Sequence, residues 1–80
     1  MSDQEVRAGI STPFIELDKL LKRENIAASG GEARWMISDR LVQVNGELEL
    51  RKRRKLYPGD LVVVQGKIRR IVAITTPDVA

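Results

Sequence analysis

Five consecutive basic side chains are the strongest candidates for chemistry in this sequence: Arg51, Lys52, Arg53, Arg54 and Lys55. Residues 51–70 hold 8 Lys and Arg against one acidic residue, a net charge of +7, whereas residues 1–50 hold 6 against 9 acidic residues, a net charge of −3. The whole chain carries only +3, so the positive field is local. Such a field attracts polyanions, of which nucleic-acid backbones are the commonest in a cell. A solvated basic loop without a partner, or a tract read by trafficking receptors, would have the same composition.

The residue types that most often perform catalysis or bind metals are missing. The sequence has no His and no Cys, which removes the commonest general base, the commonest metal ligand and any thiolate site. The carboxylates of Glu16, Asp18, Glu24 and Glu32 stand mostly beside Lys or Arg at helical spacing, where surface ion pairs explain them. We therefore predict a protein that is not an enzyme and that has no catalytic residue, metal site, cofactor or small-molecule substrate.

Length and hydropathy indicate one small domain without a membrane partner. Eighty residues suffice for a single thin core. Apolar runs such as Leu61–Val64 are far shorter than a membrane span. The N-terminus lacks both the basic start and the apolar stretch of a secretory signal. These features predict a cytoplasmic protein, and we expect it to be a monomer.

Two helices are predicted in the first half of the chain. Residues 16–25 place Leu17, Leu20 and Leu21 on one side, at spacings of three and four. Two acidic residues stand in the first turn of this segment and two basic residues in its last turn, an order that suits the helix dipole. A second helix is predicted to begin at Ser29.

The start of the second helix is a candidate anion site. Ser29 and Glu32 have the spacing of a capping box. Between them stand Gly30 and Gly31, which are poor helix formers. Either these glycines open backbone N–H groups to a phosphate, or the turn is an ordinary cap with tight packing. Trp35 lies opposite the inward stripe of this helix, where it would either stack on a base or cover the N-terminal segment.

Strands and turns are predicted for the second half. An alternating segment, 41–44, leads into Asn45-Gly46, the dipeptide most typical of a hairpin. Pro58-Gly59 marks a second turn, and Gly66-Lys67 marks a third. The sequence therefore predicts an α+β fold with two short helices packed on a small twisted antiparallel sheet.

The predicted domain covers residues 12–74. A flexible N-terminal segment, 1–11, would precede it and a flexible C-terminal tail, 75–80, would follow. The predicted core consists of Phe14, Leu17, Leu20, Leu21, Ile26, Ala33, Met36, Ile37, Val42, Val44, Leu56, Leu61, Val63 and Ile71.

Four segments in this order and spacing resemble the RNA-binding domain first described in small-subunit ribosomal protein four, also called the alpha-L motif. These segments are 17–22, 29–34, 42–46 and 58–60. The Gly-Gly-x-Ala-Arg form, with the basic run just before the last segment, is similar to the small stand-alone bacterial members. In one departure, Glu16 stands where many members have Arg.

The resemblance implies a surface, formed by the two helices and the turn after the first strand, that grips structured RNA such as ribosomal or transfer RNA. It implies that the RNA-binding residues are Lys19, Lys22, Arg23, Ser29, Gly31, Arg34, Asn45, Arg51, Lys52, Arg53, Arg54 and Lys55. The larger members join this module to catalytic domains, and none of those domains is present in this sequence.

The residues alone leave other partners open. A basic run also suits a protein-interaction module that docks on an acidic partner, and phosphate contacts do not separate RNA from DNA. Recognition by RNA shape fits better than single-strand stacking, because the sequence lacks interleaved aromatic residues. We further expect that replacing both Arg53 and Arg54 by Glu weakens binding without lowering the melting temperature.

Overall fold

The structure, a computed structural model, describes residues 4–74. Its elements in chain order are β1 (Glu5–Ile10), β2 (Ile15–Glu16), α1 (Leu17–Arg23), α2 (Gly30–Ser38), β3 (Val42–Val44), β4 (Glu47–Leu48), β5 (Lys55–Leu56), β6 (Leu61–Val64) and β7 (Lys67–Ala73).

The strands form two sheets. A five-stranded sheet has the order β1-β7-β6-β3-β4, while β2 and β5 form a separate two-stranded sheet. The predicted α+β fold with two short helices is confirmed. Most strand pairs are antiparallel, but β1 and β7 are parallel, so the sheet is mixed where an antiparallel one was expected. Parallel partners are not joined by a hairpin, so no turn sequence marks this pairing.

The prediction of a flexible segment over 1–11 is wrong for Glu5–Ile10, because these residues form β1 beside β7. Ala8 and Ile10 are buried in the core, whereas the first half of the strand is exposed. The first half of β1 is mostly polar, so the sequence does not indicate that the second half is buried. The flexible tail predicted for 75–80 lies outside the described residues.

The helices begin and end close to their predicted bounds. In α1, the side chains of Leu17, Leu20 and Leu21 are fully buried, as expected. Before α2, the Ser29 Oγ accepts a 3.1 Å hydrogen bond from the Glu32 N–H. The Glu32 carboxylate in turn accepts from the Ala28 N–H at 3.1 Å, one residue earlier than a capping box predicts.

Both hairpin turns use residues with positive φ. Asn45 and Gly46 have φ of 54° and 82°, as the predicted type I′ turn requires. The turn between β6 and β7 is formed by Gln65 and Gly66, one residue earlier than expected. Gly59 has φ of 101° in the predicted turn before β6.

The inward face of β6 is opposite to the prediction. Val62 and Val64 are buried, whereas Leu61 and Val63 are half-buried. All four residues are apolar, so alternation could not choose between the faces. Pairing with β3 decides the face, because Val62 and Val64 lie opposite the buried Val44 and Val42. The predicted core residue Phe14 is also only half-buried.

Candidate nucleic-acid interface

Backbone hydrogen bonds fasten the basic run to the start of α1. The Leu17 N–H donates to the Arg54 carbonyl at 2.9 Å, and the Asp18 N–H donates to the Lys52 carbonyl at 3.0 Å. The first N–H groups of a helix have no partner within the helix, so these carbonyls satisfy them. The Lys52 and Arg53 side chains remain exposed. The run is therefore held beside α1 through its backbone.

A shallow groove lies between the two helices and this run. We call it the helix groove, and its volume is ≈ 440 Å³. The Arg34 Nη1 on α2 lies 3.7 Å from the Asp18 Oδ2 on α1. Gly30 lies beside the Arg34 guanidinium, and an added Cβ would be in ordinary van der Waals contact with it at 3.4 Å. The groove is lined by Glu16, Asp18, Lys19, Lys22, Gly30, Arg34 and Arg53.

A second open groove, the loop groove, has a volume of ≈ 620 Å³. It is lined by Arg51, Arg53, Arg54, Lys55, Tyr57 and Asp60. Arg53 borders both grooves, so they form one surface, which we call the basic face. Seven cationic side chains and three carboxylates line this face. Cations from both helices and from the basic run therefore converge on one face of the molecule.

The acidic residues of the helix groove are held by neighbouring groups. The Glu16 carboxylate lies 3.1 Å from the Lys19 Nζ. The buried Asp18 accepts a 2.8 Å hydrogen bond from the Lys19 N–H in addition to its contact with Arg34. Lys22 and Arg53 have no carboxylate within 4.0 Å among residues 4–74, so their charge is open to an anion. Glu16, the departure noted in the sequence, thus reduces the charge of the groove without closing it.

The buried carboxylate of Glu49 accepts hydrogen bonds from two residues of the basic run. Its Oε2 accepts from the Arg51 N–H at 2.9 Å and from the Arg51 Nε at 3.0 Å. Its Oε1 accepts from the Arg51 Nη2 at 3.0 Å and from the Arg54 Nη1 at 2.6 Å. The hydrogen bond from Arg51, with a further one from Arg54, outweighs burial and lowers the pKa of Glu49 to about 2. Two of the five basic residues therefore have an internal partner.

Other predicted binding residues lie outside the two grooves. Arg23 contacts Glu24 at 3.2 Å. Ser29 and Gly31 are exposed at the start of α2, beside the groove-lining Gly30. Lys52 is exposed on the basic run without lining either groove.

Asn45, another predicted binding residue, is occupied within the fold. Its Nδ2 donates to the Asp60 Oδ1 at 3.1 Å, and its Oδ1 accepts from the Leu61 N–H at 2.9 Å. These bonds join the β3–β4 turn to the start of β6. The amide therefore braces Asp60, which lines the loop groove.

Two residues that shape this surface were not predicted from the sequence. Tyr57, just before the predicted Pro58-Gly59 turn, lines the loop groove. Glu49 was not singled out, although a carboxylate two residues before Arg51 and five before Arg54 was visible in the sequence. Trp35, by contrast, lines neither groove, and 56% of its surface is exposed.

The described part of the chain offers no metal site and no membrane span. Within residues 4–74, no group of three or more His, Cys, Asp or Glu could hold a metal ion. No helix among the same residues has the length and apolarity needed to cross a bilayer.

Comparison with known proteins gives concordant matches. The sequence model of the S4 domain matches residues 8–72. The chain is 44% identical over 57 residues to the probable ribosome maturation protein RlbA of Bacillus subtilis, a match that covers 71% of this chain and 80% of that protein. It is 39% identical over 61 residues to the putative RNA-binding protein YbcJ of Escherichia coli, covering 76% of this chain and 87% of that protein.

A solved structure also matches. The solution structure of YbcJ from E. coli, described as revealing an ALFAL motif involved in RNA binding, superimposes with a TM-score of 0.63 at 34% identity. The superposition covers 91% of each chain.

Proposed function

This chain belongs to the S4 domain family, and we propose from that premise that it binds structured RNA on its basic face without catalysing a reaction. The observation that carries the proposal is the convergence of α1, α2 and the basic run on two adjoining grooves. Relatives of similar length are named for RNA binding and for ribosome maturation, so the family and the electrostatics point to the same kind of ligand.

The chemistry of the basic face suits a phosphate backbone. Arg34 and Arg53 present planar guanidinium groups, which donate two parallel hydrogen bonds to phosphate oxygens, and Lys19 and Lys22 add point charges. The two grooves are shallow and adjoin at Arg53, so one folded RNA can contact both. Recognition then depends mainly on RNA shape, because phosphate contacts carry no sequence information.

The residues that contact RNA in this proposal are exposed cations on or beside the basic face that do not bind Glu49. They are Lys19, Lys22, Arg34, Lys52, Arg53 and Lys55. Ser29 and Gly31 lie at the edge of this set, at the start of α2, where backbone N–H groups favour a phosphate. Arg51 and Arg54 contribute through their position around Glu49 and through the field of the face.

We propose ribosomal RNA as the target and a monomer in the cytoplasm as the working form. The match to a protein named for ribosome maturation supports this choice. The proposed module spans residues 4–74, because β1 is part of the same sheet as the later strands.

A salt titration tests the electrostatic mechanism. If about 5–8 phosphates are neutralised, the logarithm of the association constant for a structured RNA falls with the logarithm of salt concentration with a slope of about −4 to −7. Fluorescence anisotropy with a labelled ribosomal RNA hairpin measures this slope. A flat titration would exclude phosphate neutralisation as the source of affinity.

Two double variants with the same loss of charge test the position of the surface. Lys22→Ala with Arg53→Ala removes two open cations from the basic face, and we expect binding at least tenfold weaker and a slope less steep by about 2. Arg7→Ala with Lys67→Ala removes one Arg and one Lys that line neither groove, and we expect an affinity within twofold of wild type. Equal losses in the two variants would mean that net charge alone, and not this face, binds RNA.

The competing function, docking on an acidic protein, predicts a different result. Nucleic acid that co-purifies with the protein raises the absorbance at 260 nm, and treatment with RNase removes it if the ligand is RNA. An acidic protein partner would remain bound after RNase treatment.

A further inference from the structure

The loop groove contains one aromatic residue among its charged ones. Tyr57 lines this groove and has 49% of its surface exposed, while its neighbours in the lining are Arg51, Arg53, Arg54, Lys55 and Asp60. Apart from Tyr57, the side chains that line the groove are charged. An exposed aromatic ring among cations is the combination that accepts an unpaired base together with its phosphate.

Another aromatic ring supports the Tyr57 ring on one side. Tyr57 packs against Phe14 with ring centroids 5.9 Å apart and planes inclined at 48°. The Lys55 Nζ lies 4.8 Å from the centroid of the same Phe14 ring. One side of Tyr57 is therefore supported by an apolar neighbour, and its exposed part borders the groove. A platform that is already ordered loses little side-chain freedom when a ligand stacks on it.

The backbone that carries Tyr57 is also fixed. The Tyr57 N–H donates to the Asp60 Oδ2 at 2.8 Å, and the Asp60 N–H donates back to the Tyr57 carbonyl at 3.0 Å. The Gly59 N–H donates to the Ile71 carbonyl on β7 at 2.8 Å. Asp60 is itself braced by Asn45, as described above. The turn is thus tied to the main sheet at several points.

We propose that Tyr57 stacks on one unpaired base of the bound RNA, while the neighbouring Arg53 and Lys55 hold the phosphates that flank that nucleotide. This inference rests on the proposed function and narrows it. The preferred ligand is an RNA helix interrupted by an extruded nucleotide, a bulge or a loop, rather than an uninterrupted duplex. The duplex part lies along the helix groove, and the unpaired nucleotide enters the loop groove at Arg53.

Two labelled RNA hairpins that differ in one nucleotide test the proposal. One has an uninterrupted stem, and the other carries a single extruded 2-aminopurine in the same stem. Stacking on an aromatic side chain strengthens binding by about 5- to 150-fold per base. We expect the full chain to prefer the bulged hairpin by such a factor, and we expect the 2-aminopurine fluorescence to be quenched on binding.

Variants of Tyr57 locate the effect. Tyr57→Ala is expected to abolish the quenching and the preference, so that this variant binds the two hairpins equally. Tyr57→Phe keeps the ring and is expected to retain both. Trp35→Ala, which removes an exposed aromatic residue outside both grooves, is expected to behave as wild type.

Several outcomes would overturn the inference. Equal binding of both hairpins by the wild-type chain, without quenching, would overturn it and leave the proposed RNA binding intact. A preference that persists in Tyr57→Ala would do the same. If Tyr57→Ala does not fold, the three remaining proteins provide the test. Quenching by wild type, Tyr57→Phe and Trp35→Ala alike would support the inference, and loss of quenching in Trp35→Ala would overturn it. Failure of the wild-type chain to bind either hairpin would overturn the proposed function itself.

Discussion

The Arg54 Nη1 lies 2.6 Å from the Oε1 of Glu49, whose side chain is only 7% exposed. Arg51 donates hydrogen bonds to both oxygens of the same carboxylate. The five adjacent cations of the basic run are therefore not equivalent. Arg51 and Arg54 neutralise a buried charge and shape the run, whereas Lys52, Arg53 and Lys55 keep their charge for a ligand. A buried carboxylate that loses a partner is costly, so the two groups should respond differently to substitution.

The first prediction separates Arg53 from Arg54. Arg53→Ala should weaken RNA binding by about 1 kcal/mol and leave the melting temperature nearly unchanged, because Arg53 is exposed and has no internal partner among residues 4–74. Arg54→Ala should lower the free energy of unfolding by about 1–3 kcal/mol, since the buried Glu49 loses its shortest hydrogen bond. Thermal melting and anisotropy on the same preparations measure both effects.

This contrast changes what is expected of the double substitution of Arg53 and Arg54 by Glu. The sequence suggested that it would weaken binding without affecting stability. In the structure, a carboxylate at position 54 would face Glu49, so the double variant should also melt at a lower temperature. Equal melting temperatures for the two single Ala variants would contradict the division of roles within the run.

The second prediction concerns pH. Hydrogen bonds from Arg51, and then from Arg54, lower the pKa of Glu49 from 4.5 to about 2. A carboxylate with a lowered pKa in the folded state stabilises the fold fully above its unfolded value, and this contribution is lost as the pH falls through the folded value. The stabilisation by Glu49 should therefore be complete above pH of about 4.5 and disappear between about 4.5 and about 2.

Glu49→Gln provides the measurement. Urea unfolding at several pH values should show wild type more stable than Glu49→Gln at neutral pH, with the difference shrinking below a pH of about 4.5. Other carboxylates titrate in the same range, so the difference between the two proteins is the informative quantity. Glu47→Gln, at an exposed position two residues earlier, serves as the control and should show no comparable trend. A difference that does not depend on pH would contradict the assigned role of Glu49.

The third prediction concerns Asn45, which the family resemblance placed among the RNA contacts. Its amide is engaged with Asp60 and Leu61, and its φ is 54°. Asn45→Ala should cost about 2–3 kcal/mol of unfolding free energy, because two hydrogen bonds are lost and Ala disfavours positive φ. Asn45→Gly should cost about 1 kcal/mol less, since Gly accepts that φ.

Binding by Asn45→Gly then reports whether this residue contacts RNA. We expect its affinity for a ribosomal RNA hairpin to remain within twofold of wild type when the protein is fully folded. A tenfold loss of affinity in a folded Asn45→Gly variant would restore Asn45 to the interface. Urea unfolding and anisotropy at the same temperature distinguish these outcomes.

Local signals in the sequence were sufficient to predict the helices, the first hairpin and most of the core. The leucine spacing in α1, the Ser29 cap and Asn45-Gly46 each act over a few residues, and the structure has all three. The inward face of β6 was predicted wrongly, because four adjacent apolar residues hold no alternation. Only the register with β3, a contact across the chain, makes Val62 and Val64 the buried pair.

The sequence predicts where the cations cluster, but not which of them bind a carboxylate within the fold. The density of cations over 51–55 is visible in the sequence, and four of these five side chains line the loop groove. Which of those cations are free depends on Glu49, whose burial is a property of the fold. The aromatic edge of the loop groove was missed for the same reason, since Phe14 and Tyr57 are 43 positions apart in the sequence and meet only through the pairing of β2 with β5.

The last prediction tests the N-terminal strand, which the sequence did not indicate. Ile10 is 3% exposed, whereas Val6 in the same strand is 43% exposed. Ile10→Ala should lower the free energy of unfolding by about 2–4 kcal/mol, because it leaves a cavity in the core. Val6→Ala should cost less than about 1 kcal/mol, since it removes little buried surface. Urea unfolding measures both values. Equal and negligible effects would mean that residues 5–10 do not pack as β1, whereas a large difference shows that the domain begins well before the first helix.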